Sequence, residues 1–416
     1  MDMGKPENAK FGADAFKDFN TKLPGLFPRI IGPNAMKYLQ EVVDSGLASD
    51  MTTRFEKTFA KEYGVKHCIA TPGCTPALHV LAATFGFEPG DEIIVSPVTD
   101  YGTVLGLLYE NYIPVFADTE EGSVNVSAET IEKCITERTR AVLVVHKTGI
   151  ICDMDPILRL AEKHRLIVYE DVCQAVFGKY KGRLAGTFGK AAAFSFDAEK
   201  TLGSDTGGCI ITNDDEIADR ARYMGHSRDA KTVPGFGRVH QDQGLAYRMP
   251  SCTAAMTLAQ LEIIKPAVEK IDRMARYLTS LIRNIDGILP LEIPDYVDLY
   301  SCWMFGFRID PEKFLCTPEE FVKRLADEGI GDAGLGKYYL MPESLKFLQR
   351  KAEKKIYPFS KPPASFDYVY DENTCPNAHR FLKTFIRWSS FSEKYEKEHC
   401  ELAASIIEKV ARANRK

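Results

Sequence analysis

The sequence predicts an α/β protein: a large domain with a mainly parallel sheet covered by helices on both faces, then a smaller C-terminal α+β domain. Three observations carry this. Short β-prone apolar runs alternate with segments of helical period from residue 67 to residue 223. The strand candidates are continuous apolar runs and not alternating ones, which marks strands buried on both faces. After Arg248 the alternation stops, and a long helical period over 251–285 leads into a mixed segment. The predicted organisation is an N-terminal arm over 1–30, the large domain over 31–250, a linking helix over 251–285 and the small domain over 286–416.

Taken in order, residues 1–30 are polar and irregular. Apolar spacing predicts helices over 34–45 and 52–63, with Leu39, Val42 and Val43 on one face of the first and Phe55, Phe59 and Tyr63 on the second. Strands are expected at 67–70, 92–95, 113–116, 141–146, 166–170, 191–196 and 209–212. Helices fit at 76–85, 103–110, 128–134, 156–164 and 215–223. A closing helix is expected near 398–413. Residues 346–375 are rich in Lys, Pro and aromatics without clear period, and the lysines of RKAEKK read as a solvated face. There is no internal repeat.

Composition narrows the function. Charged residues are 27% and hydrophobic ones 45% of the 416 residues, ordinary for a soluble globular protein. A net charge of −5 argues against nucleic-acid binding, which needs clustered positive charge. No apolar run has membrane-spanning length, and the N-terminus lacks the apolar core of a signal peptide. Eleven cysteines, scattered with no CxxC pair, suggest reduced thiols in a cytoplasmic protein and no zinc site. In such a compartment the sequon at Asn125 is accidental.

The chemistry concentrates in the stretch 166–208. LIVY ends in Glu170 and Asp171, and a second strand-like piece, FSF, is followed by Lys200 and then Gly207 and Gly208. An Asp at the carboxyl end of a buried strand faces the crevice where open α/β sheets bind ligands. A Lys just past another strand end reaches the same crevice. A carboxylate and an amine converging there suit pyridoxal phosphate, whose chemistry needs a lysine amine and an acidic partner for the ring nitrogen. Gly73, Cys74 and Thr75 lie in a strand-to-helix turn that presents backbone N–H groups to a phosphate. Each residue also has a plainer reading: Asp171 as a helix cap, Lys200 as a surface lysine, Ser195, Gln174 and His146 as satisfied polar groups. Their joint occurrence favours the cofactor.

The runs GCTPALHVL, GFEPGDEIIVSP, PVFAD, VVHKTG, EDVCQA, YKGRLAGTFG, FSFDAEK, LAYRMPSCTAAMTLAQLE and CPNAH stand in one order. That order resembles the DegT/StrS-type sugar aminotransferases, a fold type I pyridoxal phosphate family, from about Ala35 to the C-terminal helix. The resemblance implies a homodimer with active sites at the subunit interface. It matches Lys200 to the lysine that carries the cofactor, Asp171 to the partner of the pyridine nitrogen and Gln174 to the residue near the phenolic oxygen. Ser195 and Thr75 match phosphate ligands. The chain also departs from the family pattern. Cys74 stands for the usual Gly, and Asp100 for the aromatic that stacks on the ring, leaving Tyr101 as a substitute. Lys190 replaces an Asp, Thr206 a Glu, and Ala246 the Asn that reaches the partner's phosphate.

The resulting expectation is a pyridoxal-phosphate-dependent aminotransferase that moves nitrogen from glutamate or glutamine to a keto or aldehyde carbon of a sugar-like, possibly nucleotide-linked acceptor. Alternatives are a sugar dehydratase using the same cofactor and a regulatory or binding protein that kept the fold. A nicotinamide dehydrogenase fits poorly, since no strand is followed by GxGxxG.

Overall fold

The computed structural model describes residues 22–226, 232–235, 237–240, 242–336, 340–360 and 367–416. Most of the predicted N-terminal arm, residues 1–21, lies outside the described residues. Seven strands form the central sheet: β1 (His67–Thr71), β2 (Glu92–Val95), β3 (Ile113–Phe116), β4 (Thr139–Val145), β5 (Ile167–Asp171), β6 (Ala191–Ser195) and β7 (Gly208–Thr212). Their spatial order is β1-β7-β6-β5-β4-β2-β3, with β7 alone antiparallel to its neighbours. Every residue of β6 and β7 is buried. Because successive strand residues point to opposite faces, such strands require cover on both sides.

The cover comes from α1 (Ala35–Asp44), α2 (Met51–Tyr63), α3 (Cys74–Phe85), α4 (Tyr101–Tyr109), α5 (Ala128–Glu132), α6 (Met154–His164) and α7 (Asp215–Gly225). The aromatic face of α2 is buried as its spacing requires. Phe59 meets Phe194 of β6 edge-on at 5.1 Å between ring centroids and stacks on Tyr63 at 4.7 Å. The Tyr63 hydroxyl accepts from the Phe177 N–H at 2.8 Å, so its polar end is satisfied in the core. On α1 only part of the expected apolar face is inside. Val42 is buried, whereas Val43 is 65% exposed, because adjacent residues stand about 100° apart around a helix.

The linking helix expected over 251–285 is two helices, α8 (Ser251–Leu261) and α9 (Ile264–Ile282). Pro266 explains the break. In one continuous helix it would remove the bond to the Glu262 carbonyl and its ring would clash there, but in the first turn of a new helix it is tolerated. Beyond α9, four antiparallel strands form a second sheet: β8 (Ile288–Pro290), β9 (Phe305–Ile309), β10 (Ala333–Leu335) and β11 (Phe385–Trp388), in the order β8-β9-β11-β10. The closing helix Lys397–Ala413 packs on α9, where the Cys400 thiol donates to the Met274 carbonyl at 3.6 Å. The RKAEKK lysines end the helix Lys346–Glu353, with Lys354 and Lys355 exposed as expected. No helix among the described residues is long and apolar enough to cross a membrane.

The acidic pair closing β5 divides its work by strand alternation. Glu170 points back from the crevice and accepts N–H bonds from Gly186 at 2.7 Å, Phe188 at 2.8 Å and Gly189 at 2.7 Å, pinning the loop before β6. It also meets buried His146 at 3.0 Å. The His146 Nδ1 accepts from the Cys152 N–H, so Nε2 carries the proton that goes to Glu170. His146 is thus a satisfied structural group. Asp171, one residue on, faces the other way.

Candidate active site

The reversed direction of β7 places its start beside the carboxyl ends of β1, β6 and β5. Ser195 pairs with Gly208, and Gly73 bridges to Gly207. A side chain at position 208 would bring its Cβ to 2.5 Å from the Gly73 carbonyl carbon, so the two segments touch because that residue is Gly. Gly207 holds φ +113°, a conformation that L side chains rarely adopt. The resulting crevice has a volume of about 470 Å³, in the usual range for small-molecule sites. It brings together Gly73, Cys74, Thr75, Asp171, Ser195 and Lys200.

Asp171 is only 1% exposed. Its Oδ1 accepts from the Cys173 N–H at 3.1 Å and its Oδ2 from the Thr103 hydroxyl at 2.9 Å. These bonds fix the carboxylate as a turn acceptor at the strand end and not as a helix cap. Lys200 follows β6 in a loop whose carbonyls are clamped by Arg29. The guanidinium donates to Ala198 at 3.1 Å, Lys200 at 2.9 Å and Thr201 at 3.2 Å. The Lys200 ammonium lies 3.4 Å from the centre of the Trp303 ring, a cation–π contact. The Trp303 indole N–H donates to the Glu199 carbonyl at 2.8 Å, which keeps that ring against the lysine loop.

The phosphate end of the site lies at the start of α3. Gly73 precedes this helix in extended backbone, and no side chain caps it. The first-turn N–H groups are therefore left for a ligand, at the positive end of the helix dipole. Thr75 lies against Gly102, where an added Cβ would stand 2.2 Å from the Thr75 hydroxyl oxygen. At the mouth, Thr206 donates its hydroxyl to the Pro72 carbonyl at 3.1 Å. A buried carboxylate at one end, an amine on the side and an open helix N-terminus at the other fit pyridoxal phosphate.

Two predicted residues do not line this crevice. Tyr101 begins α4, and its ring leaves the helix away from the crevice, edge-on to Phe347 at 6.1 Å. Gly102 and Thr103 face inward instead. Asp100 caps α4, accepting from the Gly102 N–H at 3.0 Å. No stacking aromatic comes from position 100 or 101 here. Gln174 is buried behind the crevice and accepts from the Thr148 N–H at 2.7 Å. The Thr148 carbonyl in turn accepts from the Trp303 N–H at 3.2 Å, so Gln174 braces the loop that carries Trp303. Of the residues at family departures, Lys190 points away, with its amine 3.8 Å from Asp214 and its side chain 61% exposed. Thr103, Arg29 and Trp303 are parts of the site that sequence reasoning missed. Trp303 lies far along the chain in YSCWMF, with no local motif to mark it.

Lys147 is a further buried amine beside the crevice; its backbone N–H donates to the Asn125 side-chain oxygen at 3.2 Å. Burial, then the nearby Lys200 charge, hold its amine down at about 7, against an ordinary 10.5. A lysine whose folded value is depressed favours the unfolded chain, which holds the proton more tightly. The penalty is full below pH 7 and fades as the pH rises toward 10.5. In the cofactor-free protein, Lys147→Met is therefore expected to raise stability by up to a few kcal/mol at neutral pH, converging on wild type at high pH. Denaturant midpoints of both proteins across that range check it; a gap that does not change with pH would refute it.

Comparison with known proteins agrees with this geometry. Residues 29–361 match the profile of the DegT/DnrJ/EryC1/StrS aminotransferase family. The spore coat polysaccharide biosynthesis protein SpsC of Bacillus subtilis is 31% identical over 376 residues, covering 88% of this chain and 91% of the relative. GDP-perosamine synthase of Caulobacter vibrioides is 34% identical over 307 residues, 73% of this chain and 81% of the relative. Among solved structures, Helicobacter pylori PseC, an aminotransferase involved in the biosynthesis of pseudoaminic acid, superimposes with a TM-score of 0.80 at 22% identity, covering 94% of this chain and all of that one. With the profile spanning most of its length and relatives above 30% identity, the chain belongs to the DegT/DnrJ/EryC1/StrS family of pyridoxal-phosphate-dependent sugar aminotransferases.

Proposed function

We propose that this enzyme moves the amino group of glutamate or glutamine onto a keto carbon of a nucleotide-linked sugar, releasing the matching 2-oxo acid. The observation that carries it is the placement of Asp171 and Lys200 in one crevice with the open start of α3. The names of GDP-perosamine synthase and of the spore coat polysaccharide protein support a sugar acceptor, and the former a nucleotide-linked one. Bound there, pyridoxal phosphate supplies an aldehyde for the donor's nitrogen and a ring that absorbs the electrons released at the donor's Cα. Asp171, its carboxylate fixed by Thr103 and the Cys173 N–H, would hold the ring nitrogen's proton by its negative charge. Lys200, in the same crevice, would be the residue that holds the cofactor, and its amine would be the base that takes up and returns the donor's Cα proton. Trp303 packs on that amine and restricts where it swings. The uncapped α3 N-terminus, Thr75 and Ser195 would hold the phosphate.

The test is the half-reaction. Mixed with glutamate or glutamine and no acceptor, the loaded enzyme should release the 2-oxo acid in amounts equal to its active sites. A panel of amino acids that leaves the cofactor spectrum unchanged would sink this reading and move a binding role to the front. Retention of a primary amine at position 200 favours amino transfer over dehydration, since a dehydratase need not regenerate a covalent link with the enzyme.

The working unit is a cytoplasmic homodimer in this reading. Met36 and Val43 of α1 and Leu47 in the turn after it are 75%, 65% and 76% exposed, an apolar surface that a partner subunit would cover. Ala246 is exposed and cannot donate to a partner's phosphate. Ala246→Asn is expected to tighten cofactor retention on dialysis by ~1.5–3 kcal/mol at most, the value of one hydrogen bond to a charged group. An unchanged retention would show that position 246 does not reach the partner's site.

A further inference from the structure

Cys74 meets Asp171 and Cys173, about a hundred residues further along the chain, at the inner end of the crevice. Cys74 opens α3, and Cys173 follows β5, two residues past Asp171. The Cys74 sulfur lies 4.0 Å from Asp171 Oδ1, and the two sulfurs and the carboxylate oxygen all fall within 4.8 Å of one another. This is the one such grouping of ligand-type side chains among the described residues. Around a tetrahedral zinc, with bonds of about 2.3 Å to sulfur and about 2.0–2.2 Å to oxygen, ligand atoms sit roughly 3.5–3.8 Å apart. Small side-chain rotations close the difference. All three residues also line the open crevice, so an ion held by them keeps a free fourth position toward solvent.

We propose that, in the cofactor-free protein, Cys74, Cys173 and Asp171 bind a thiophilic divalent cation of the zinc and cadmium class. Two sulfurs with one carboxylate select such an ion over magnesium or calcium, which take all-oxygen sites. Asp171 is also the residue read above as facing the cofactor ring. Resting on that reading, ion and cofactor exclude each other, and the thiophilic ion keeps the empty enzyme from loading.

The experiment uses the full chain, reduced and stripped of cofactor, titrated with cadmium. The expected result is a thiolate-to-cadmium charge-transfer band that saturates at one ion per chain. Cys74→Ser and Cys173→Ser should each weaken binding at least roughly tenfold, the scale that even outer-shell changes reach at metal sites. Cys252→Ser, which alters an exposed thiol, should leave binding unchanged. Cadmium NMR of the wild type counts sulfur ligands directly and does not depend on how the variants fold; two are expected. No band, a band that survives in the double variant, or a sulfur count other than two would overturn the site. Saturating pyridoxal phosphate should displace the ion. If the site forms as described and pyridoxal phosphate does not bind, the metal assignment stands and the proposed function falls.

Discussion

Lys200→Ala is expected to end turnover, a loss on the order of 10⁴-fold or more, while leaving the cofactor bound. The position supplies both the covalent link and the positioned acid–base, and the larger effects of single acid–base deletions already reach that scale. Binding should persist because Asp171 and the start of α3 are held by contacts that do not involve Lys200: the Thr103 hydroxyl, the Cys173 N–H and the Gly73–Gly207 bridge. Borohydride treatment of the loaded wild type should fix the cofactor on a peptide containing Lys200, and dialysis of the variant should show colour retained. A label on Lys147 would mean that the neighbouring buried amine is the carrier. A label on Lys190 would contradict the geometry, since that side chain is exposed beside Asp214.

Asp171→Asn should lower the rate by on the order of 10²-fold or more, the scale of a lost charge contact in a water-excluded site. Asp171 accepts from the Cys173 N–H at Oδ1 and from the Thr103 hydroxyl at Oδ2, with the Cys74 thiol 4.0 Å from Oδ1. Asparagine has one oxygen to offer, so either the Cys173 N–H loses its acceptor or the Thr103 hydroxyl must turn round. A stability cost of about 1–3 kcal/mol should accompany the rate loss. Turnover and denaturant midpoint measured together separate the two effects. Wild-type turnover in a destabilised variant would leave Asp171 a structural acceptor and remove it from the chemistry.

Much of this site was legible because its members sit at ends of elements whose period is local. LIVYED is a buried strand that must place its two acids on opposite faces, and the crevice side follows from strand direction. The turn before α3 carries its glycine and an uncapped helix start in consecutive residues. Tyr101 and Gln174 do not line the crevice, for a different reason. Whether the first residue of a helix points into a crevice or past it depends on how that helix is rotated on the sheet. α4 is rotated so that Gly102 and Thr103 face in. Gln174 had a nearer partner, the Thr148 N–H, that no motif announces. The split between α8 and α9 did have a local signal, Pro266, which an unbroken apolar period outweighed.

What the sequence by itself determined was the kind of fold and which residue types arrive at strand ends. Alternating apolar runs and helical periods specify an α/β sheet covered on both faces, whatever the order of its strands. Tertiary structure alone decided the neighbours across elements. The reversed β7, inserted between β1 and β6, brings Gly73 against Gly208 and completes the crevice wall. It also decided that Trp303, from a loop just ahead of β9, covers Lys200, that Lys147 is buried beside it, and that Cys74 and Cys173 close on Asp171. The physical reason is that periodicity records how much of each element is buried, and is blind to what buries it. Partners distant in the chain meet only once strand order, strand direction and helix rotation are settled by packing the whole core.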